Sequence, residues 1–160
     1  MSLKIKKSGR LFSHPEAVMR RHLEAGMSEI AAYGEKVIKQ KTPKGHTRAL
    51  VADIAGEWKK TASGLRSRWG TSLIYGKVVE EGRRPGRRPP PSEALEPWVR
   101  RILRVPRSQV KSVSFIIARS IGKKGIPAKG MFSKSVDTIE RFSRSHLLKR
   151  IKLITKELSR

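Results

Sequence analysis

The chain has 160 residues, and its 37 Lys and Arg against 13 Asp and Glu leave a formal net charge of +24 at pH 7. Such self-repulsion predicts a polyanion or an acidic protein surface as partner, or else a chain that tolerates the repulsion. The absence of cysteine excludes disulfides and thiolate metal sites. At this length the simplest arrangement is one domain with a modest core.

The N-terminus predicts neither secretion nor membrane insertion. It is basic but lacks the apolar core of a signal peptide, and no apolar run of the chain approaches the roughly 20 residues of a membrane span. We therefore expect a soluble, non-secreted protein with no membrane partner. Residues 1–12 are predicted to form a flexible basic arm, or a strand that becomes ordered against a partner.

A long amphipathic helix is predicted to follow, from Pro15 to about Lys41. Ser13 is its candidate N-cap, and Thr42-Pro43 stops it. Apolar positions recur at spacings of three and four on one face: Met19, Leu23, Met27, Ile30, Gly34 and Val37. The glycine on this face predicts the close approach of another backbone.

The next segments predict an antiparallel β-hairpin. Apolar and polar residues alternate from Leu50 to Trp58 and again from Leu65 to Leu73, on either side of the turn Thr61–Gly64. Arg66 and Arg68 fall on the opposite face of the second strand.

An arginine- and proline-rich segment, Gly82–Pro91, which we call the strap, comes after the hairpin. Proline fixes φ and removes a backbone donor, so the strap is predicted to be extended and exposed. Its arginines are candidate contacts to another subunit, to DNA or to an acidic partner: Arg83, Arg84, Arg87 and Arg88. Glu80 and Glu81, just before the strap, are candidate acceptors for arginines. The alternative pairs one of them with a nearby arginine and leaves the other in solvent.

Helices are predicted for most of the remaining chain. The first runs from Leu95 to Leu103 with Pro97 in its first turns, and the second, which Ser108 caps, includes Val110 to Ile121. Residues 113–118 fit a buried strand as an alternative. A basic loop at 122–130 then precedes a helix from Met131 to Leu158, whose apolar stripe is Phe132, Val136, Ile139, Phe142, Leu147, Ile151, Ile154 and Leu158.

These elements predict an α+β fold, in which a small antiparallel hairpin sheet is covered by a long N-terminal helix and by C-terminal helices. We expect one domain at residues 13–142, preceded by the arm at 1–12 and followed by a basic helical extension at 143–160. Exposed sheet edges favour an oligomer.

Catalysis has little support in the sequence. The four histidines lack metal-site spacing and are predicted to be solvated or capping residues: His14, His22, His46 and His146. Glu80 and Glu81 are adjacent and project differently, unlike a converging acid and base, and no Gly-x-Ser-x-Gly motif occurs. We therefore predict a protein that is not an enzyme and has no metal or cofactor.

Three kinds of binding remain open for the basic segments. The strap could contact a phosphate backbone or a minor groove, and its prolines could form an SH3 ligand. The cationic C-terminal helix could lie on an anionic membrane, although packing against the core is the commoner explanation of its apolar stripe.

Several short motifs follow one another through residues 16–142: Thr42-Pro43, Tyr75-x-x-Val78-Val79-Glu80-x-Gly82, Arg83-Arg84-Pro85-Gly86, Leu95-x-x-Trp98-Val99, Ile117-Ala118-Arg119-x-Ile121 and Met131-Phe132. In this order they resemble the tailed-bacteriophage neck and tail-completion family, also described as head–tail joining proteins or minor tail components. The chain departs from the family's Pro-x-Asp-Thr-Gly turn at Pro43–Thr47, where the acid is missing.

The resemblance implies a structural virion protein without catalytic residues. It would form a homo-oligomeric ring at the head–tail junction, after assembly in the host cytoplasm. Its partners would be its own copies, the adjacent connector, neck and tail proteins, and the DNA in the channel. The alternatives are a cellular or phage DNA- or RNA-binding module and, third, a small basic nuclease or toxin for which no catalytic set can be named.

Overall fold

The computed structural model describes residues 15–45 and 47–159. The predicted N-terminal arm, the Ser13 cap, His14 and His46 lie outside the described residues. The chain divides into two compact units, one of residues up to Val37 with 55–70 and 135 onward, the other of 38–54 and 71–134. The predicted boundaries at 13–142 and 143–160 stay a prediction.

The helix that begins the first unit, α1 (Pro15–Lys41), has the predicted bounds. Its first turn carries Glu16 and its last turn Lys39 and Lys41, which complement the helix dipole. Most of the predicted stripe is buried or half-buried, but Met19 is exposed, and its neighbour Val18 is buried instead. The buried face therefore begins one residue earlier than the spacing indicated.

The predicted hairpin forms from β1 (Ala55–Thr61) and β2 (Gly64–Gly70), which pair antiparallel. Its inner face packs on α1 through two tryptophans: the Nε1–H of Trp58 donates to Ser28 Oγ and that of Trp69 to the Ala31 carbonyl, each at 2.8 Å. The expected C-terminal part of the second strand, Thr71 to Leu73, lies beyond β2.

Gly34 does accommodate a close neighbour, but the neighbour is a side chain. A Cβ built on Gly34 would lie 2.4 Å from the Trp69 indole, so the prediction of a backbone approach there was wrong. The close backbone approach occurs at Gly56, whose Cβ would stand 2.5 Å from the Ala31 carbonyl oxygen. The larger ring occupies the groove that the glycine leaves in α1.

The C-terminal helix of the first unit, α6 (Val136–Leu158), is antiparallel to α1. The Tyr33 ring stacks on Phe142 with centroids 3.7 Å apart, and towards the other end Arg21 binds Glu157 at 2.6 Å. Val136 and Ile151, predicted for the apolar stripe, are exposed. The helix also begins later than Met131, after a 3-10 turn at Ser133–Ser135.

In the second unit the predicted first strand is wrong in its first half, because α2 (Ala49–Asp53) is helical. Leu50 and Ile54 are both buried, and the Ile54 N–H donates to the Leu50 carbonyl at 3.2 Å. A spacing of four suits one helical turn, although a spacing of two also brings both residues to one face of a strand. The Asp53 carboxylate then accepts the Ser72 N–H at 2.7 Å, which holds the chain that follows β2.

Helical structure fills the rest of this unit. It comprises α3 (Tyr75–Glu81), a continuous helical segment of 3-10 (Glu93–Leu95), α (α4, Glu96–Trp98) and π (Val99–Leu103) turns, and α5 (Arg107–Lys124). The helix at Leu95–Leu103 and the helical form of 113–118 are thereby confirmed. The Ser108 cap was wrong, because Pro106 occupies the cap position and Ser108 lies inside α5. The last turn of α5 includes the first residues of the predicted loop.

Candidate anion-binding surface

The strap is mostly exposed, as predicted, but it turns at Pro85–Gly86 and bends at Arg87, so the prediction of an extended segment was wrong there. It is fastened to the last turn of α5 and to the loop that follows. Arg83 and Ile126 exchange two backbone hydrogen bonds, of 2.8 and 2.9 Å, and the Gly86 N–H donates to the Gly122 carbonyl at 2.9 Å. The strap therefore has a defined backbone position despite its composition.

Glycine is required where the strap and the loop meet. Gly125 has a φ of +74°, and a Cβ on it would stand 2.1 Å from the Arg83 carbonyl oxygen. A Cβ on Gly122 would lie 2.8 Å from Pro89 Cγ. These glycines bring the two backbones into direct contact, and nothing in the local periodicity indicated that pairing.

The structure brings the four strap arginines together. Arg84, Arg87 and Arg88 are exposed, and the half-buried Arg83 donates from Nη2 to the Arg88 carbonyl. With Glu81 and Gly82 they line an open concavity of about 620 Å³.

The last turn of α5 and the loop after it add three exposed lysines: Lys123 and Lys124, between Gly122 and Gly125, and Lys129. We call the four strap arginines and these lysines the strap–loop surface. The sequence indicated that both segments were basic, but not that their backbones are in contact. The signal that could have revealed it is the pair of glycines, Gly122 and Gly125, flanking the first two lysines.

Glu80 does not face this concavity. Its carboxylate accepts the backbone N–H groups of Phe132 and Ser133, each at 2.9 Å. Burial acts to raise the pKa of Glu80, but these N–H groups outweigh it, so the pKa lies below its ordinary value. The predicted role of Glu80 as an acceptor between subunits has no support in this placement, and neither has its pairing with a nearby arginine.

Glu81 is placed differently from Glu80. Its carboxylate is exposed and lies 4.0 Å from Lys77 Nζ on the same helix, while the residue also lines the concavity with the arginines. It is therefore the predicted acceptor that remains accessible.

Each of the described histidines lies against a carboxylate. His22 Nε2 lies 2.9 Å from Glu157 Oε2, and His146 Nε2 lies 2.5 Å from Glu29 Oε2. The expectation of solvated or capping residues was wrong for these two, because helix packing brings a carboxylate to each. Across 15–45 and 47–159, no three His, Asp or Glu side chains are grouped to hold a metal ion.

No family model, curated protein or solved structure matches the chain. No helix of the described ranges is long and apolar enough to cross a membrane. The class of ligand is therefore inferred from the side chains of the strap–loop surface. Guanidinium and ammonium groups bind phosphate and carboxylate oxygens through charge-assisted hydrogen bonds.

Proposed function

We propose that the chain is a structural, non-enzymatic protein of the head–tail junction of a tailed bacteriophage. In this proposal it forms a ring of its own copies between the portal-side connector and the tail, and DNA passes through the ring. The order of the motifs supports the assignment to the junction, and the strap–loop surface is the observation that carries the function.

The composition of the strap–loop surface favours a phosphate backbone over a protein neighbour. The exposed residues among its seven cations include prolines and Ala128, but no aromatic or large aliphatic side chain. Protein interfaces have a core that is depleted of charge and is anchored by aromatic or apolar side chains, whereas nucleic-acid backbones are bound by Arg and Lys. DNA in the channel is therefore the partner that this surface fits best.

The backbone of the strap suits such a contact. Prolines and the bonds to Ile126 and Gly122 restrict the free strap, so less conformational entropy is lost when it binds. Arginine adds bidentate geometry toward phosphate oxygens. A surface held in this way binds many successive DNA sequences equally, as a channel must.

A ring also requires contacts between copies. Closed rings use a heterologous interface, in which one patch meets a different patch on the next copy. The accessible Glu81 beside exposed strap arginines gives both charges for such a contact at the rim of the surface. Adjacent connector and tail proteins, and location in the virion, belong to the same proposal.

The second candidate function is a DNA- or RNA-binding module of a cellular or phage protein. The same strap–loop surface favours it, because binding to phosphates requires no ring. The two candidates differ in stoichiometry: a ring protein places several copies around one duplex, whereas a module binds as a single copy.

The strap is tested by the triple variant Arg84→Gln, Arg87→Gln, Arg88→Gln, measured by fluorescence anisotropy on labelled duplex DNA over a series of salt concentrations. We expect weaker binding, with a salt slope reduced by about 0.9 for each phosphate that the variant no longer neutralises. The control variant Lys149→Gln, Lys152→Gln, Lys156→Gln removes the same charge from exposed positions of α6. If the strap variant keeps the wild-type slope, the strap has no role in DNA binding.

A further inference from the structure

The outer face of the hairpin is made of charged side chains. Glu57 and Lys59 of β1 stand opposite Arg68 and Arg66 of β2, respectively, and all four are exposed. Lys60, next to the turn, is exposed too, but it lies opposite Leu65 on the face that carries the tryptophans. We call the three cations of the outer face, Lys59, Arg66 and Arg68, the basic ribbon.

The register places two like charges directly across from each other. Lys59 pairs with Arg66, and like charges in directly opposed positions destabilise an antiparallel pair. Glu57 relieves this only in part, since its Oε1 lies 2.6 Å from Arg68 Nη2 and 3.5 Å from Lys59 Nζ. Within the described ranges Arg66 has no carboxylate in ion-pair distance, so a bound anion would remove a repulsion that the fold leaves in place.

The ribbon is also held in one orientation. Trp58 and Trp69 bind α1 from its inner face, and at the turn the Thr61 hydroxyl donates to the Gly64 carbonyl at 3.0 Å. A cationic surface with a fixed backbone loses little entropy on binding.

We propose that the basic ribbon is a nucleic-acid contact separate from the strap–loop surface, and that it binds the backbone of duplex DNA. A two-stranded ribbon fits the major groove, which is about 12 Å wide. The ribbon belongs to the first compact unit and the strap–loop surface to the second. The two surfaces share no residues, so DNA binding by the ribbon does not depend on the assignment of the chain to the head–tail junction.

The composition of the outer face is less suited to a protein or a membrane partner. Its exposed positions from Glu57 to Lys59 and from Arg66 to Arg68 carry charge without an apolar anchor. A stable protein interface requires such an anchor at its core, and an interfacial membrane contact requires an apolar side. Duplex DNA requires only cations at the spacing of its phosphates.

The test is the triple variant Lys59→Gln, Arg66→Gln, Arg68→Gln, measured by fluorescence anisotropy on labelled duplex DNA over a salt series. If each cation contacts one phosphate, the slope of log K against log salt falls by about 2.7. The matched control Lys149→Gln, Lys152→Gln, Lys156→Gln should keep the wild-type slope. Circular dichroism verifies that each variant is folded.

A second variant tests the ribbon by a gain of binding. Glu57→Gln removes the one carboxylate among the exposed outer-face residues and releases Arg68 and Lys59 for phosphates. We expect tighter binding at low salt and a steeper salt slope. Unchanged or weaker binding would contradict the proposal.

Three further outcomes overturn the inference. The ribbon variant keeps the wild-type slope, or the slope of the control variant falls as far as that of the ribbon variant, or poly-L-glutamate binding depends on the ribbon while duplex binding does not. Weaker binding in the strap variant alone would support the strap–loop surface and reject the ribbon. The two proposals therefore fail separately.

Discussion

At the scale of single residues, the clearest cost in the fold is the cation pair on the hairpin. Arg66 faces Lys59 across the strands, and a threonine at this position would keep the preference for a strand without the repulsion. We expect Arg66→Thr to raise the free energy of unfolding by roughly 0.2–1 kcal/mol, measured by urea unfolding. Arg68→Thr is the control, because it removes the Glu57 ion pair and should not stabilise. A less stable Arg66→Thr variant would show that the pair is not repulsive.

The contact between Gly34 and the Trp69 indole gives a second prediction at this scale. Alanine in a helix is favoured over glycine by about 1 kcal/mol, but a Cβ here would lie 2.4 Å from the ring. Overpacking of this kind costs roughly 1–3 kcal/mol, so we expect Gly34→Ala to lower the melting temperature. Gly70→Ala, whose Cβ would have no atom within 4 Å, should change it little. A stabilised Gly34→Ala variant would refute the packing of Trp69 on α1.

At the scale of elements, α1 and α6 are joined by reciprocal ion pairs. Glu157 of α6 binds Arg21 and His22 of α1, while Glu29 of α1 binds His146 and Arg150 of α6. Each carboxylate thus receives one arginine and one histidine from the opposite helix. Because each helix contributes one carboxylate, the Glu157 and Glu29 clusters fix the antiparallel register of α1 and α6 at two positions along the helices.

These pairs predict an acid-dependent decrease in stability. Hydrogen bonds from His22 and Arg21 lower the pKa of Glu157 from 4.5 to about 2. A depressed folded-state pKa contributes stability that is present above pH 4.5 and is lost as pH falls toward 2. We expect Glu157→Gln to reduce the loss of unfolding free energy between pH 4.5 and pH 2, measured by urea unfolding at several pH values. The Glu29 contacts remain intact in this variant. Equal pH dependence of the unfolding free energy in the variant and the wild type would contradict the stabilising role of the Glu157 contacts.

The attachment of the strap gives another prediction for an element. Gly125 combines a positive φ with contact to the Arg83 carbonyl, so Gly125→Ala should separate the strap from the loop. We expect faster amide hydrogen exchange at Arg83 and Ile126, whose N–H groups form the bridge. Gly45→Ala is the control, because Gly45 lies outside the strap and the loop and has open space around it. Unchanged exchange in Gly125→Ala would refute the bridge.

The sequence predicts an element well when interactions between residues close in sequence determine it, and poorly when residues far apart in sequence do. The bounds of α1 and the exposure of the strap follow from local rules, namely helical spacing and proline chemistry. The helix α2 was missed because Leu50 and Ile54 satisfy strand and helix periodicity alike. The bridge between Arg83 and Ile126 was missed because pairing between distant segments leaves no local pattern.

At the scale of the whole molecule, the net charge of +24 includes basic surfaces in both compact units. The candidate residues Arg83, Arg84, Arg87 and Arg88 were predicted as a group, since they are neighbours in sequence. The position of the lysines next to the strap, and the hydrogen bonds of Glu80 to backbone N–H groups of the same chain, could be identified only from the tertiary structure. Linked contacts to one DNA molecule would raise the overall affinity by avidity, provided that both surfaces reach it.

The central claim, that several copies surround DNA, is tested most directly by mass photometry of the chain with a short duplex, together with negative-stain electron microscopy. The account predicts particles that contain one duplex and several copies, with closed rings in the images. Single copies bound to DNA at saturating protein, with no closed particles, would contradict it and favour the nucleic-acid-binding module.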